Sequence, residues 1–275
     1  LRWVDLDAQG HVNNTLIADY MQEARVRLFA MSPATKRLTA EGVVVVGHQV
    51  EYAAPIDFTP EPLRISVGVE HVGGSVIELN YDLHHGGERV ATARSKLCAF
   101  SFAENLPRRL GKTARSAMKS IARRTEPLRD VGSFEVGERH HVHPLSVRWS
   151  DQDSYGHVNN VRYFDFVAEA RIHVTSEADS SATRMSASAE AGQLWLVARQ
   201  DLTYLRQLSF RPRPYEVWTS VARIGRTSLT LAAEIRDGDS EVFARAVTVL
   251  VCADHSGRPS PLPESLVENL APYTA

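Results

Sequence analysis

One decapeptide occurs twice in this chain of 275 residues. Asp5-Leu6-Asp7-Ala8-Gln9-Gly10-His11-Val12-Asn13-Asn14 returns as Asp151-Gln152-Asp153-Ser154-Tyr155-Gly156-His157-Val158-Asn159-Asn160. Its flanks return with it, Arg2-Trp3 as Arg148-Trp149 and Glu23-Ala24-Arg25 as Glu169-Ala170-Arg171, always 146 residues further on. Apolar positions drift between two copies of a scaffold as long as their periodicity survives. Here the identical residues include two Asp, a His, two Asn and a Glu. Polar identity amid apolar drift indicates one chemical site built twice. The length agrees, because two units of about 130–140 residues are a natural division of such a chain.

Bulk composition removes several function classes. Hydrophobic residues make up 43% and charged residues 23%, ordinary for a globular chain. A formal net charge of −2 argues against a dedicated nucleic-acid binder. No apolar run approaches the roughly 18 residues of a spanning helix, so no membrane insertion is expected. Cys98 and Cys252 lie in apolar strand-like runs and are too few for a disulfide framework, which fits a reducing, cytoplasmic setting. Leu1 is not Met, and the first copy lacks a counterpart of the stretch from His140 to Val147. The chain is therefore expected to begin inside the first strand of copy one.

A helix is predicted after each motif. Asn13 or Asn14 is a good N-cap type, and Leu16, Ile17, Tyr20, Met21, Ala24 and Leu28 recur at helical spacing. Val161, Phe164, Val167, Ala168 and Ile172 repeat the stripe. Loops are expected over Ser32–Gly42 and Ser176–Gly192. Strand patterns follow: Val43–Val46 with Gln49–Tyr52, then Ile77–Tyr81 and Val90–Phe100. The second copy has Leu194–Val197 with Asp201–Tyr204, then Leu229–Leu231 and Val242–Cys252. Gly86-Gly87 and Asp237-Gly238 mark hairpin turns. Beyond the helices the offset becomes 152 residues, as Tyr52 with Tyr204 and Gly73 with Gly225 show. Each copy reads as strand, long helix and about four antiparallel strands, with boundaries at 1–106 and 139–275 and a basic linker helix at 107–138. Arg108, Arg109, Lys112, Arg115, Lys119, Arg123 and Arg124 make that linker either a solvated connector or a patch for ligand phosphates.

The string Arg-Trp-x-Asp-x-Asp-x-x-Gly-His-Val-Asn-Asn, opening a helix that contains Glu-Ala-Arg, resembles the hotdog-fold acyl-CoA thioesterases of the 4-hydroxybenzoyl-CoA thioesterase type. It is also similar to the motif of the acyl-ACP thioesterases, which are tandem hotdogs. The resemblance implies an α+β fold: two tandem hotdogs, each a long helix wrapped by a curved antiparallel sheet, paired as an intrachain pseudo-dimer with sites at the pairing interface. It implies an acyl-CoA or acyl carrier protein thioester as substrate, and it leaves open a homo-oligomer of the pseudo-dimer. In the acyl-ACP enzymes the residue two before the His is Asn. Here it is Gln9 in one copy and Tyr155 in the other.

Thioester hydrolysis needs a base or nucleophile, donors for a tetrahedral oxyanion, and an apolar slot. By resemblance Asp7 and Asp153 supply the first; turn capping is the competing role. Free backbone N–H groups around Gly10-His11-Val12 and Gly156-His157-Val158 are candidates for the second, with glycine letting a ligand carbonyl approach the backbone. His11 and His157 are either structural or orient the substrate and act as acids. Asn13, Asn14, Asn159 and Asn160 read as caps and loop locks before substrate ligands.

Glu23 and Glu169, one turn beyond Asp19 and Asp165, are expected in ion pairs with Arg25, Arg171 or Arg27, or as second carboxylates in a supporting role. Tyr52 and Tyr204 are expected to pack on the sheet. His140, His141 and His143 have no carboxylate or Cys at ligand spacing, so neither a metal nor another cofactor is expected. An acyl-thioester binding or sensing module and a hotdog hydratase or dehydratase are the alternatives, although no output domain and no hydratase motif is found.

Overall fold

The computed structural model describes residues 1–179, 194–254 and 257–274. Two long helices, α1 (Leu16–Ala30) and α4 (Arg162–Ala178), follow the two motifs, as the stripes predict. Their surroundings differ. On α1 the buried residues Ile17, Ala18, Met21, Arg25 and Phe29 form one face. On α4 burial extends to Tyr163, Phe164, Phe166, Val167, Ala168, Ala170 and Val174. Its extra cover comes from a strand before it, β6 (His141–Leu145), and a short helix near the C-terminus, α5 (Glu264–Leu270).

In each half four strands follow the long helix. They are β1 (Val43–Tyr52), β2 (Arg64–Val72), β3 (Val76–His85) and β4 (Glu88–Ser101), then β7 (Leu194–Tyr204), β8 (Tyr215–Ile224), β9 (Ser228–Asp237) and β10 (Glu241–Ala253). The two apolar pieces expected at 43–46 and 49–52 are one bulged strand, while β2 and β8 gave no distinct signal in the sequence. The order is β2-β3-β4-β1-β7-β10-β9-β8-β6 in one continuous antiparallel sheet, with a two-stranded extension where β5 (Leu106–Pro107) pairs with β4. The seam is β1 against β7, with Gly47 opposite Thr203 and Glu51 opposite Arg199. A single apolar cluster runs through both halves, and a smaller one joins α4 to α5. Cys98 and Cys252 are buried free thiols.

The loop expected at Ser32–Gly42 is instead a helix, α2 (Pro33–Glu41). Ser32 Oγ accepts from the Thr35 N–H at 3.2 Å, Pro33 opens the first turn, and Gly42 closes it at φ +100°. In the second half α4 runs through Ala178, and the loop expected beyond it lies outside the described residues from 180 to 193. The basic segment forms helix α3 (Lys112–Ser120), which buries Ala114 and Met118 against α2 and β2. Residues 121–123 then pair with the edge of β2 at Val69. No helix among the described residues is long and apolar enough to cross a membrane.

Candidate active site

Each motif folds into the same two-step loop. Asp5 is buried, and its carboxylate accepts from the Arg2 N–H at 2.7 Å and the Tyr20 hydroxyl at 2.6 Å. Burial pushes that carboxyl up, but the Arg2 and Tyr20 hydrogen bonds outweigh burial and hold it below the usual range. A tight turn comes next. The Asp7 N–H donates to His11 O at 2.8 Å and the Gly10 N–H to Asp7 O at 3.1 Å. In the second copy the corresponding bonds, Asp153 to His157 and Gly156 to Asp153, measure 2.8 and 3.0 Å. Gly10 and Gly156 sit at φ +82° and +76°, which explains their identity without a ligand. Both are exposed and neither lines a cleft, so close approach of a substrate carbonyl is not what requires them.

Asp7 and Asp153 are half-buried, and each lines a cleft between the halves. One oxygen of each braces its own turn, accepting from the Gln9 N–H at 2.8 Å and the Tyr155 N–H at 2.9 Å. The other oxygen bonds to no described residue, leaving a lone pair for chemistry. The Asp7 cleft has a volume of about 600 Å³ and is walled by α4 and β7 of the opposite half, including Ala168, Ile172, Trp195 and Val197. The Asp153 cleft, about 1000 Å³, is walled by Val26 and Phe29 of α1, by β1 and by Phe102. Both walls are predominantly apolar, as an acyl slot must be.

The expected oxyanion donors are not free. The Val12 and Val158 N–H groups donate to Ile56 O at 2.9 Å and Leu208 O at 3.0 Å, and those of Gly10 and Gly156 are held by the aspartate carbonyls. The loops spend these donors on their own closure, although the Val12 and Val158 side chains do line the clefts. The backbone N–H groups of His11, Asn14, His157 and Asn160 donate to no described residue.

The two Asn of each motif divide their work. Asn13 Oδ1 accepts from the Thr15 N–H at 3.1 Å and Asn159 Oδ1 from the Val161 N–H at 3.4 Å, bracing the turn that leads into the helix. Thr15 and Val161, not the Asn residues, are the helix N-caps. Asn14 and Asn160 reach across the seam instead. Asn14 Nδ2 donates to Gln200 Oε1 at 3.4 Å, while Asn160 Oδ1 lies 3.0 Å from His48 Nε2. Gln200 and His48 are equivalent positions of the two halves. Tyr52 and Tyr204 do more than pack, because their hydroxyls donate to Asn14 O at 3.0 Å and Asn160 O at 2.8 Å.

The histidines of the motif are not equivalent. His11 Nε2 is 3.7 Å from Asp57 Oδ1, an ion pair only when the imidazole is protonated. Among the described residues His157 has no acidic partner and its buried Nδ1 has no hydrogen bond; its ring stacks on Phe102. The rims differ as well. Gln9 Nε2 donates to Trp195 O at 3.3 Å, whereas the Tyr155 hydroxyl donates to Thr39 O at 2.7 Å. The ion pairs expected for Glu23 and Glu169 do not form. Both residues are exposed and pair with no described cation, and Asp165 instead takes Arg162 at 3.1 Å. Asp19 has no ion pair among the described residues and is pushed up by burial, with Arg162 opposing.

Known proteins agree with this architecture. A model of the thioesterase-like superfamily matches residues 1–122 and 147–270. The uncharacterized protein YsmA of Bacillus subtilis is 32% identical over 120 residues, 42% of this chain and 74% of its own. The 12:0-ACP thioesterase of Umbellularia californica is similar over 92% of this chain and 95% of its own, with TM-score 0.69 and 14% identity. An acyl-ACP thioesterase of Bacteroides thetaiotaomicron is similar over 90% and 93%, with TM-score 0.66 and 16% identity. At that identity the structural likeness speaks for the fold: two tandem hotdog units.

Proposed function

The chain belongs to the thioesterase-like superfamily, and from that premise we propose that it hydrolyses acyl thioesters of coenzyme A or an acyl carrier protein at two sites, one on Asp7 and one on Asp153. One observation carries the reading. Each carboxylate lines an apolar cleft with one oxygen unbonded among the described residues, in a loop whose His and second Asn backbone N–H groups have no acceptor among them. In the reaction the carboxylate takes a proton from water as the water oxygen bonds to the thioester carbon. The carbonyl oxygen becomes an oxyanion, met by the N–H groups of Asn14 or His11 in one cleft and Asn160 or His157 in the other. Collapse of the tetrahedral intermediate breaks the C–S bond, and the departing thiolate takes up a proton.

Asn14 and Asn160 sit just before the helices, where the positive end of the dipole favours developing negative charge. The tyrosine bonds to their carbonyls hold the next peptide along, and so limit rotation about the Asn14 and Asn160 backbones. Direct attack by the carboxylate is the variant mechanism on the same residues. Combining Asp7→Asn with Asp153→Asn should reduce turnover of a medium-chain acyl-CoA by about 10²–10⁴-fold, the usual loss for a positioned base, with an unchanged circular dichroism spectrum. Full turnover in the double variant removes both aspartates from the mechanism. Tight acyl-CoA binding by the parent chain without any turnover favours a sensing role.

A further inference from the structure

Arg25 and Arg171 end the Glu-Ala-Arg segments of the two long helices, and each projects into the cleft that carries the other half's motif. Arg171 lines the Asp7 cleft and Arg25 the Asp153 cleft. Arg25 is 5% exposed. Neither guanidinium makes a hydrogen bond or an ion pair with any described residue, and one nitrogen of each, Nη1 of Arg25 and Nε of Arg171, is fully buried without a partner among them. Burial lowers the Arg171 guanidinium to about 10, opposed by Tyr52, Asp7 and Glu169, so it stays charged at neutral pH.

A buried cation without a bonded anion is costly, yet this chain holds two at symmetry-related places. The negative groups that share the Asp7 cleft with Arg171 are Asp7, Asp165 and Glu169; none forms an ion pair with it, and Asp165 is taken by Arg162. Arg25 faces His48 and Tyr204, and both are neutral at physiological pH: burial lowers His48 to about 3 and raises the Tyr204 hydroxyl well above its ordinary value. In the other cleft Asp153 and Glu241 likewise form no ion pair with Arg25; each guanidinium thus keeps unbonded donors, and its fork suits a carboxylate brought in by a ligand.

We propose that Arg25 and Arg171 are ligand-binding residues that hold the carboxylate of a free fatty acid, each in the cleft of the opposite half. Under the hydrolase reading, on which the physiological identity of this ligand rests, that acid is the reaction product, and the same fork meets the thioester carbonyl as it gains negative charge. A product held by both apolar wall and cation makes its release a slow step and product inhibition a built-in property.

Decanoate and its uncharged isostere decanamide separate charge recognition from slot filling, read by titration calorimetry on the intact chain at pH 7. Decanoate should bind about 10- to 100-fold more tightly than decanamide, the range for a charge-assisted contact in a dry site. Arg25→Met with Arg171→Met, which preserves much of the side-chain volume, should erase that preference and leave decanamide affinity near its original value. Arg25→Lys with Arg171→Lys, which keeps the charge and spares the fold, should retain part of the preference. Equal binding of the two ligands by the parent chain, no binding of decanoate, or a full preference surviving in the Met variant overturns the proposal. Since no turnover is needed, a chain that prefers decanoate yet hydrolyses no thioester would sink the hydrolase reading alone. Turnover without carboxylate preference would sink this one alone.

Discussion

Single residues at the seam tie stability to the chemistry beside it. Tyr52 and Tyr204 donate to the carbonyls of Asn14 and Asn160, one peptide beyond the N–H groups proposed to meet the oxyanion. Tyr52→Phe should cost about 0.5–1.5 kcal/mol in urea unfolding and should lower kcat more than it raises KM, because the ring that lines the Asp7 cleft is kept. His48 carries a pH signature. It is buried between Ser95 Oγ at 2.8 Å and Asn160 Oδ1 at 3.0 Å, and burial drives its imidazole from 6.5 down to about 3, with Arg25 adding to the effect. Between those values the unfolded chain binds a proton that the folded chain refuses, so stability drains as pH falls below 6.5, by at most about 1.4 kcal/mol per pH unit. His48→Gln, which installs the residue found at the equivalent position 200, should shrink the difference in urea midpoint between pH 7 and pH 5. An unchanged difference would place the acid sensitivity elsewhere.

At the level of elements, local signals fared well where the period was clean. Both long helices follow from apolar spacing, and Gly86-Gly87 turns the β3–β4 hairpin at φ +59° and +85° as its sequence predicts. Helix α2 was missed although Ser32-Pro33 and Gly42 are its start and stop signals, because a Ser, Thr and Ala-rich stretch reads equally well as loop. Gly42→Ala tests the stop: at φ +100° a Cβ would lie 2.5 Å from Phe100 O. It should lower stability by more than about 1 kcal/mol, measured as a fall in Tm. The aspartates, histidines and asparagines of the site were visible as a repeated polar string. Which N–H groups stay free was not, since Val12 and Val158 are claimed by Ile56 and Leu208, partners some 44 and 50 residues away with no local trace. The crossing of Asn14 to Gln200 and of Asn160 to His48 is equally nonlocal, because pairing of β1 with β7 sets it.

For the molecule as a whole, one gene product holds two unlike chambers. The Asp7 chamber is smaller and is edged by Gln9 with a His11–Asp57 pair; the Asp153 chamber is larger and carries an aromatic cluster of Tyr155, Phe102 and His157. Asp7→Asn alone and Asp153→Asn alone should therefore each leave measurable turnover, with different acyl-length profiles across a panel from C4 to C16. Identical profiles in the two single variants would show that the rims do not select, and loss of all turnover in one of them would show that only the chamber it disables works. Gln9 and Tyr155 each anchor on the backbone of the opposite half. A protein engineer who grafts a new rim onto one half will thus retune a chamber whose floor is encoded at the other end of the gene, and must rewrite both ends together.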